Sequence, residues 1–533
     1  MIEQILKNAP DSWEVVELNE VGVINPKIEK SLYEDDKVCS FVPMPAVEAE
    51  SGRIDVTETR LFNQVKKGFT PFFERDVLFA KITPCMENGK VAVVPKLIGD
   101  LGFGSTEFHV VRPYSCISES YLFYYLVSQI FRYEAERNMT GAVGQRRVPA
   151  PWLSSVKIPL PPQKEQQRIV EKLEELFSEL DSGIESLRKA KKQLTSYRQA
   201  LLKQAFEGKL TAQWREDNSD KLESPDDILE RLKRERDERY QQKLDEWEVT
   251  VNQWEQDGSK GKKPSKPRKP KAVTPFVDLP DFCQELPDSW FWDKLGHMTL
   301  AVEYGTSAKS SESGRVPVLR MGNIQNTKFD WDDLVFTSDE DEISKYTLNG
   351  GDVLFNRTNS PELVGKTAKY NGEREALFAG YLIRVNHFDN FVNSDYLNLF
   401  LNSYVSKRYG NTVKTDGVNQ SNINGEKLSN YPFPYCSLAE QEQVIQILEE
   451  KISKIERSES EITMNLKKAE LLRQSILKKA FSGKLVSQDT EDEPANELLK
   501  KIAIEKEELA EKEKAEKAAA RKKKATAKKT VKS

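Results

Sequence analysis

Arg198-Gln-Ala-Leu-Leu-Lys-Gln-Ala-Phe-Glu-Gly-Lys-Leu210 decides the fold of this 533-residue chain, because the stretch returns as Arg473-Gln-Ser-Ile-Leu-Lys-Lys-Ala-Phe-Ser-Gly-Lys-Leu485. Nine of the 13 positions are identical at an offset of 275 residues. Short repeats that stack into solenoids have periods of about 20–50 residues, so a period of this length indicates a duplicated domain.

Matches upstream of this stretch extend the repeat over most of the chain. Pro10-Asp-Ser-Trp13 recurs as Pro287-Asp-Ser-Trp290, and Asp76-Val-Leu-Phe79 recurs as Asp352-Val-Leu-Phe355. The chain is therefore predicted to hold two copies of one unit of roughly 200 residues, related by pseudo-twofold symmetry. Each copy consists of a globular part followed by a long helix.

The globular part of the first copy has the pattern of a mixed α/β domain. Short, β-rich apolar runs, bounded by Gly and Pro, lie at Val38–Val42, Asp76–Phe79, Lys90–Val94 and Phe108–Val111. Ser120–Met139 is predicted as one helix. The fold class is therefore α+β, with two such domains and two long helices.

The two long helices are predicted over Glu165–Phe206 and Glu440–Phe481, each about 60 Å long at 1.5 Å per residue. Their apolar residues recur at steps of seven, four and three, and such stripes need a partner. We expect the two helices to pack antiparallel as a coiled-coil spacer; the alternative is that each packs only on its own domain. Leu472 belongs to the predicted stripe. The packing positions are Leu173, Leu180, Leu187, Leu201, Leu448, Ile455, Ile462 and Ile476.

The segment between the copies has a different composition. Ser224–Trp254 carries apolar residues at helical spacing, including Trp247 and Trp254, which is typical of a protein-docking face. Lys260–Lys271 contains seven basic and no acidic residues, and the chain after Lys517 is similar. Both basic segments are predicted as solvated linkers or tails that could add non-specific attraction to DNA.

Composition restricts the class of protein. With 38% hydrophobic and 31% charged residues, much of the chain is expected in exposed helices. The five cysteines lack C-x-x-C spacing, and there is neither a secretion signal nor a membrane-spanning run, so a cytoplasmic location is expected. The net charge of −5 argues against a nucleic-acid binder that acts without partners.

Catalytic motifs are largely missing from the sequence. Leu363-Val-Gly-Lys-Thr367 resembles the end of a P-loop, but Ser360 stands where that motif needs Gly. The three histidines are not at metal-ligand spacing, and no G-x-G-x-x-G, G-x-S-x-G or H-E-x-x-H motif occurs. We therefore predict a binding protein that is not itself an enzyme and holds no metal.

Each copy carries a polar cluster suited to DNA. It follows the matched Asp-Val-Leu-Phe strand and includes a loop near the end of the domain. Arg, Lys, Gln and Asn make paired hydrogen bonds to guanine and adenine edges in the major groove. The candidate residues are Lys81, Lys90, Thr140, Gln145, Arg146 and Arg147 in the first copy, and Arg357, Lys366, Thr415, Gln420, Asn422 and Asn424 in the second.

With these features, the chain resembles the DNA-specificity subunit of type I restriction–modification systems. The resemblance rests on the Gln-containing loops, on Leu160-Pro-Pro-Gln-Lys-Glu-Gln166 at the start of a long helix, and on the Ala-Phe-x-Gly-Lys-Leu helix ends. It implies first and second target recognition domains at 1–162 and 285–437, and spacer helices at 163–211 and 438–486. Residues 212–284 would be a helical and Lys/Pro-rich connector, and 487–533 a charged tail.

The resemblance also implies how the protein works. Each recognition domain would read one half of a bipartite site in double-stranded DNA and direct adenine methylation or restriction. Two modification subunits would bind the spacer helices, and restriction/translocase subunits can join them. No cofactor is expected in this chain, because S-adenosylmethionine, ATP and Mg²⁺ would be bound by those partners.

Two other classes remain open at this point. One is a stand-alone DNA-binding or architectural protein, which would bind tightly without partners. The other is a scaffold whose duplicated domains bind proteins rather than DNA, and which would show no salt-dependent association with DNA.

Overall fold

A computed structural model of the chain describes residues 6–7, 9–142, 144–259, 261, 263–267, 269, 276 and 278–511. The chain divides into two compact units, Met1–Arg188 with Thr463–Ser533, and Lys189–Ile462. Each long helix therefore contributes one part to each unit. The basic tail after Lys517 and part of the Lys260–Lys271 stretch lie outside the described residues.

Both copies contain helices and strands. The helices are α1 (Leu18–Val21), α2 (Phe62–Val65), α3 (Glu119–Val127), α4 (Gln129–Arg137), α5 (Ala150–Ser155), α6 (Gln163–Phe206), α7 (Ala212–Asp217), α8 (Pro225–Gln256), α9 (Glu340–Tyr346), α10 (Ser394–Leu401), α11 (Tyr404–Val413), α12 (Gly425–Ser429), α13 (Leu438–Phe481) and α14 (495–511). Short 3₁₀ turns link several of them.

Among the described residues the strands fall in two series, ten in the first unit and 14 in the second. In the first unit they are β1 (Glu14–Glu17), β2 (Gly22–Ile24), β3 (Val38–Val42), β4 (Thr59–Leu61), β5 (Thr70–Phe72), β6 (Val77–Ala80), β7 (Val91–Val93), β8 (Gly102–Gly104), β9 (Phe108–Pro113) and β10 (Lys157–Leu160). In the second unit they are β11 (Phe291–Lys294), β12 (Thr299–Tyr304), β13 (Val316–Leu319), β14 (Ile324–Gln325), β15 (Lys328–Phe329), β16 (Val335–Thr337), β17 (Val353–Asn356), β18 (Thr358–Asn359), β19 (Thr367–Lys369), β20 (Leu377–Phe378), β21 (Leu382–His387), β22 (Thr415–Asp416), β23 (Ser421–Asn422) and β24 (Pro432–Tyr435).

The sheets show the duplication directly. The first unit has the order β2-β9-β6-β7, and the second unit has β12-β21-β17-β19, all antiparallel. A parallel pair, β3 with β8, recurs as β13 with β20. The end strands β1 and β10 pair as β11 and β24 do. The predicted mixed α/β class with a repeated domain is confirmed.

One helix prediction is wrong. Ser120–Met139 was expected as a single helix, but the chain breaks at Ser128, whose backbone is extended at φ −62 and ψ 142. The Ser128 hydroxyl caps the second helix by accepting a hydrogen bond from the Phe131 N–H at 3.3 Å. Serine competes with helical hydrogen bonds in this way, so the apolar pattern continues across a break in the backbone.

In the first unit the long helices run antiparallel. The ion pairs between α6 and α13 follow opposite directions along the two helices. Arg168, near the start of α6, pairs with Asp492, which follows the end of α13. Asp181, further along α6, pairs with Arg473, which lies within α13. The Arg473 guanidinium also lies 4.4 Å from the centroid of the Phe177 ring. The apolar residues of the two helices join the core of the first domain in one cluster.

The second unit repeats this arrangement. Arg198 of α6 bonds Glu456 of α13 at 3.3 Å, while Thr211, after α6, donates to Glu440 near the start of α13 at 2.6 Å. The order along the two helices is again reversed. Leu201 and Leu202 share a core cluster with Leu448.

Burial varies along the predicted stripe. Leu180 and Leu187 are half-buried, whereas Leu173, Leu201, Leu448, Ile455, Ile462 and Ile476 are buried. The prediction for Leu472 is wrong, because its side chain is 51% exposed and Leu477 is the leucine that is buried there. Near this end α13 packs on the globular domain, where Phe481 contacts the rings of Tyr121 and Tyr125. A different face of α13 is therefore turned inward.

Each long helix is followed by a shorter helix that packs on a globular domain. In the second unit, Ile228 and Leu232 of α8 are buried, and Arg236 donates to the Gly296 carbonyl at 2.9 Å. In the first unit, Leu498 and Ile502 of α14 are buried. The helices that follow the two long helices therefore pack on their domains in a similar way.

The tryptophan face of α8 is partly covered by the chain itself. The Trp247 indole N–H donates to the Pro264 carbonyl at 3.1 Å, and the Lys266 ammonium lies 5.4 Å from the centroid of that ring. Lys263 lies 5.7 Å from the Trp254 ring centroid. The described part of the Lys/Pro-rich segment therefore contacts the surface that the sequence marked as a docking face.

No helix within the described ranges has the length and apolar character needed to cross a membrane.

Candidate nucleic-acid interface

The candidate site of the first domain is built on the end of strand β6. Lys81 follows β6, and its backbone N–H donates to the Glu107 carbonyl at 2.9 Å. The Lys81 carbonyl in turn accepts from the Val148 N–H at 2.8 Å. Lys81 is thus held between the residue that precedes β9 and the end of the loop that contains Arg147.

The second domain holds Arg357 by the same two bonds. Its N–H donates to the Tyr381 carbonyl at 3.0 Å, and its carbonyl accepts from the Ile423 N–H at 2.9 Å. Strand β17 takes the place of β6, and Tyr381 precedes β21 as Glu107 precedes β9. Lys81 and Arg357 therefore occupy one backbone position in two copies of the same framework.

A hairpin stands beside this position in each domain. Thr140 and Arg147 exchange backbone hydrogen bonds of 2.9 and 2.8 Å, and Thr415 pairs with Asn422 in the same register. Gln145 and Gln420 lie exposed near the two tips. The framework brings the candidates Lys81, Thr140, Gln145, Arg146 and Arg147 together in the first domain, and Arg357, Thr415, Gln420 and Asn422 together in the second.

In the first domain Arg147 is fixed by a carboxylate. Its Nε and Nη2 donate to the two carboxylate oxygens of Glu107, both at 2.9 Å, and its Nη1 donates to the Gln145 carbonyl at 3.0 Å. The hydrogen bond from Arg147 is the main cause that lowers the pKa of Glu107 below its ordinary value. The pair is therefore charged at neutral pH and holds the guanidinium in one orientation.

Arg146 points to a different set of acids. Its Nη2 lies 3.4 Å from a carboxylate oxygen of Glu87 and 3.7 Å from one of Glu136. All three side chains are about one third to one half exposed, so the pairs contribute little to stability. Arg146 is therefore held only weakly by its acidic neighbours.

A basic hollow of about 530 Å³ adjoins Lys81. Lys27 and Lys30 line it together with Lys81, and His109 and Asn25 form part of its wall. Burial lowers the pKa of His109, so the ring is neutral at pH 7, with its Nε2 donating to the Val148 carbonyl at 2.8 Å. The Lys30 ammonium donates to the Lys66 carbonyl, and three lysines along one concave surface suit a phosphate backbone.

The second domain presents different chemistry on the same framework. The Arg357 guanidinium lies 4.9 Å from the centroid of the Tyr304 ring and donates to the Gly380 carbonyl at 3.3 Å. It also approaches the Asn422 amide oxygen at 3.5 Å, and the Asn422 amide donates to Thr358 at 2.7 Å. The Tyr381 side chain is 50% exposed beside this group.

The remaining candidates are engaged elsewhere. Lys90 and Lys366 occupy equivalent backbone positions in the two domains. The Lys90 carbonyl accepts a hydrogen bond from the Ala80 N–H, and the Lys366 carbonyl accepts one from the Asn356 N–H. However, the Lys90 ammonium bonds the Met44 carbonyl at 3.1 Å, and Lys366 bonds Gln325 at 3.5 Å. The Asn424 side chain caps α12 by accepting from the Lys427 N–H at 2.9 Å.

Sequence reasoning missed Glu107 and Tyr381. Neither residue belongs to a motif. Because glutamate and tyrosine are different residue types, a search for identical residues in the two copies does not detect their shared position. An alignment of strand β9 with β21 would have found them, because each is the residue immediately before the strand.

No group of three or more His, Cys, Asp or Glu residues in the part of the chain that the structure describes is arranged to hold a metal ion. The surface is made of hydrogen-bond donors, acceptors and aromatic rings, which can bind DNA.

Comparison with known proteins then places the chain in a family. Residues 10–190 and 303–467 match the family described as type I restriction modification DNA specificity domain. The chain belongs to this type I specificity family. Each matched segment includes most of one globular domain and the first part of the long helix that follows it. The two domains are therefore two copies of the specificity domain.

Curated members of the type I specificity family resemble this chain over most of its length. It is 28% identical to the type I restriction enzyme EcoAI specificity subunit of Escherichia coli, over 83% of this chain and 78% of that protein. It is 25% identical to the EcoKI specificity subunit of Escherichia coli strain K12, over 93% of this chain and 96% of that protein.

Two solved structures share the fold of this chain. One chain, solved in work on assembly and conformational transition of the type I R-M system, matches with a TM-score of 0.65 and 19% identity, over 90% of this chain and 99% of that chain. The HsdS subunit of Thermoanaerobacter tengcongensis matches with a TM-score of 0.50 and 18% identity, over 90% and 98%. The likeness supports the duplicated architecture.

Proposed function

We propose that each domain of this specificity protein reads one half of a bipartite DNA target, and that partner subunits methylate adenine or cleave according to that reading. The observation that carries the proposal is the shared backbone position of Lys81 and Arg357, which presents different side chains on one framework. A framework that is kept while its polar side chains differ suits two readers of two different sequences.

Local charge supports DNA as the ligand despite the overall charge of −5. Lys27, Lys30 and Lys81 surround one hollow in the first domain. Counterion release by such contacts supplies sequence-independent affinity, and each phosphate contact adds about 0.9 to the slope of log K against log salt concentration. Lys27→Ala should therefore weaken binding to all sequences and lower the slope by about 1 if Lys27 contacts a phosphate.

The chemistry would belong to partners. The relatives are named as specificity subunits of type I restriction enzymes, and we propose that this chain likewise joins two modification subunits, with restriction/translocase subunits added for cleavage. Those partners would bind S-adenosylmethionine, ATP and Mg²⁺. The paired segments of α6 and α13 would hold the recognition domains at the spacing that sets the gap between the two half-sites.

Domain exchange tests the proposal. Residues 10–158 are replaced by the matching segment of a relative, the protein is purified with its modification subunits, and methylated sites are mapped on a library of random DNA. We expect one half of the methylated motif to change while the other half and the gap remain. Exchange of the matching segment in the second domain should change the other half only.

Four outcomes would contradict the proposal. A continuous motif, or an exchange that rewrites both halves together, would show that the domains are not separate readers. Tight, sequence-specific DNA binding by the chain without modification subunits would favour a stand-alone DNA-binding protein. Complete loss of salt-dependent DNA association would favour a protein scaffold.

A further inference from the structure

Three matched positions in the two domains form the basis of a further inference, which rests on the proposed function. We propose that these three reader positions determine the bases that each domain reads. In the first domain they are Lys81, Glu107 and Arg147, and in the second domain they are Arg357, Tyr381 and Asn422. Glu107 and Tyr381 thereby join the candidates as specificity-determining residues.

Backbone bonds make the three positions equivalent. The first position donates to the carbonyl of the second in both domains, at 2.9 Å from Lys81 to Glu107 and at 3.0 Å from Arg357 to Tyr381. Its carbonyl accepts from the residue after the third position, Val148 or Ile423. The frame uses main-chain groups alone, so the side chains are free to differ between the two domains.

The strands around the positions keep the same register. Phe79 pairs with His109 as Phe355 pairs with Ile383, which places Glu107 and Tyr381 at the same step beyond the paired strands. Residues directly next to paired strands are held more exactly than residues of mobile loops, and reading a base edge requires that accuracy.

In the first domain the set is arranged as a guanine reader. Arg147 has five N–H groups, of which Glu107 accepts two and the Gln145 carbonyl accepts one. Among the described residues the structure gives no acceptor for the remaining two, one on each terminal nitrogen. Paired donors of this kind match the O6 and N7 acceptors of guanine. We therefore expect a guanine in the half-site of the first domain.

In the second domain a carboxylate is replaced by an aromatic ring. Tyr381 stands at the position of Glu107, so the second domain has no acceptor there that could hold an arginine in the same way. Asn422 takes the position of Arg147, and its amide is set by Thr358 at 2.7 Å and by Arg357 at 3.5 Å. An amide pairs with adenine, so the second domain should select a different base.

A purely structural role for the Glu107–Arg147 pair is the main alternative, because the pair also braces the hairpin. The same domain offers a matched control. Arg75 and Glu119 form a second bidentate pair, in which Nε and Nη2 of Arg75 donate to the two carboxylate oxygens of Glu119, both at 3.0 Å. Arg75 precedes β6, whereas Lys81 follows this strand. Changes there should perturb a pair of the same geometry without touching a reader position.

The first experiment tests Arg147 in the intact complex with modification subunits. Arg147→Lys keeps the charge but removes the planar fork. We expect discrimination between the correct base and its alternatives to fall by roughly 5- to 160-fold at one position of the first half-site, while affinity for random DNA and its salt dependence stay the same. The control Arg75→Lys should leave discrimination unchanged.

The second experiment exchanges the whole set. The triple variant Lys81→Arg, Glu107→Tyr and Arg147→Asn gives the first domain the side chains of the second. Mapping of methylated sites should show an altered first half, with the second half and the gap unchanged. Failure of this variant to assemble leaves the Arg147→Lys measurement to decide.

The outcomes separate the inference from the proposed function. If the complex without substitutions methylates a split motif and the Arg147→Lys variant keeps full discrimination at every position, the assignment of the reader positions is wrong and the proposed function stands. If Arg147→Lys weakens binding to all sequences equally, Arg147 is a phosphate or structural residue, and the inference also fails. If the complex without substitutions recognises no split motif, the proposed function itself fails.

Discussion

Leu477→Ala and Leu472→Ala decide between two descriptions of the same helix. Both leucines lie on α13 in the first unit, five residues apart. The heptad stripe predicts that Leu472 faces the partner helix. In the structure the Leu472 side chain is 51% exposed, while the Leu477 side chain is 2% exposed within the core cluster that contains Phe481 and Tyr121.

The expected magnitudes follow from burial. Removing a fully buried leucine side chain costs about 2–5 kcal/mol, because the lost transfer free energy is joined by that of the cavity. A half-exposed leucine should cost at most about 1 kcal/mol. With a urea dependence of about 3 kcal/mol per M, Leu477→Ala should lower the midpoint by roughly 0.7–1.7 M, and Leu472→Ala by no more than about 0.3 M. Helix propensity is the same for both changes, so it cancels.

Urea titration followed by hydrogen-exchange mass spectrometry is the suitable assay. A chain of two units has no single free energy of unfolding, so the midpoint is read from peptides that cover residues 471–481 and 163–177 alone. Equal midpoints for the two variants, or a larger loss for Leu472→Ala, would refute the assignment of the buried face and restore the heptad stripe.

Two further predictions concern polar contacts. Glu107→Gln should destabilise the first unit by no more than about 0.5 kcal/mol above about pH 5, and the effect should fade as pH falls through the lowered pKa of Glu107, in urea midpoints measured against pH. Since Arg147 lowers the pKa of Glu107, the contribution of the pair is full above the unfolded pKa of about 4.3 and is lost as pH falls through the folded value. Trp13→Phe removes a 3.0 Å hydrogen bond to Glu165 and should cost about 1–3 kcal/mol. Trp290→Phe is its control and should cost less, because among the described residues the Trp290 indole N–H has no acceptor.

The repeat and its elements could be predicted because they rest on local patterns that occur twice. The strand Val38–Val42 has the bounds that the apolar run indicated, and each long helix starts two residues earlier than predicted. Periodicity succeeds where one face of an element is buried along its whole length. The end of each long helix is marked by the same Ala-Phe-x-Gly-Lys-Leu sequence, in which Gly208 and Gly483 have φ of +69 and +66.

Periodicity failed where burial changes face. An ideal helix drifts by about 20° in each heptad from a 3.5-residue repeat, so a stripe drawn over 44 residues cannot stay on one side. Near its end α13 packs on a globular domain, and Leu477 replaces Leu472 in the core. The helix break at Ser128 was not predicted, because apolar residues on both sides of it are buried and the periodic pattern continues across the break.

The candidate site was predictable only in part. Lys81 and Arg357 follow a matched strand and could be found from sequence, and so could the two Gln-containing loops. Glu107 could not, because it lies 26 residues beyond Lys81 along the chain and is brought beside it only by the pairing of β9 with β6. The pairing of β9 with β6 places Glu107 at the candidate site, and this pairing cannot be read from a single sequence.

The division of labour between main chain and side chain explains how one fold can carry two readings. The Lys81 and Arg357 frames are held by backbone hydrogen bonds and by buried strands, which do not depend on the side chains at the reader positions. Substitutions at partly exposed positions of this kind usually change stability by less than about 0.5 kcal/mol, whereas a paired contact to a base is worth about 1–3 kcal/mol of discrimination. Changes in sequence preference at these positions therefore cost little in folding, and because the frame exists twice, one half of the target can change while the other half is kept.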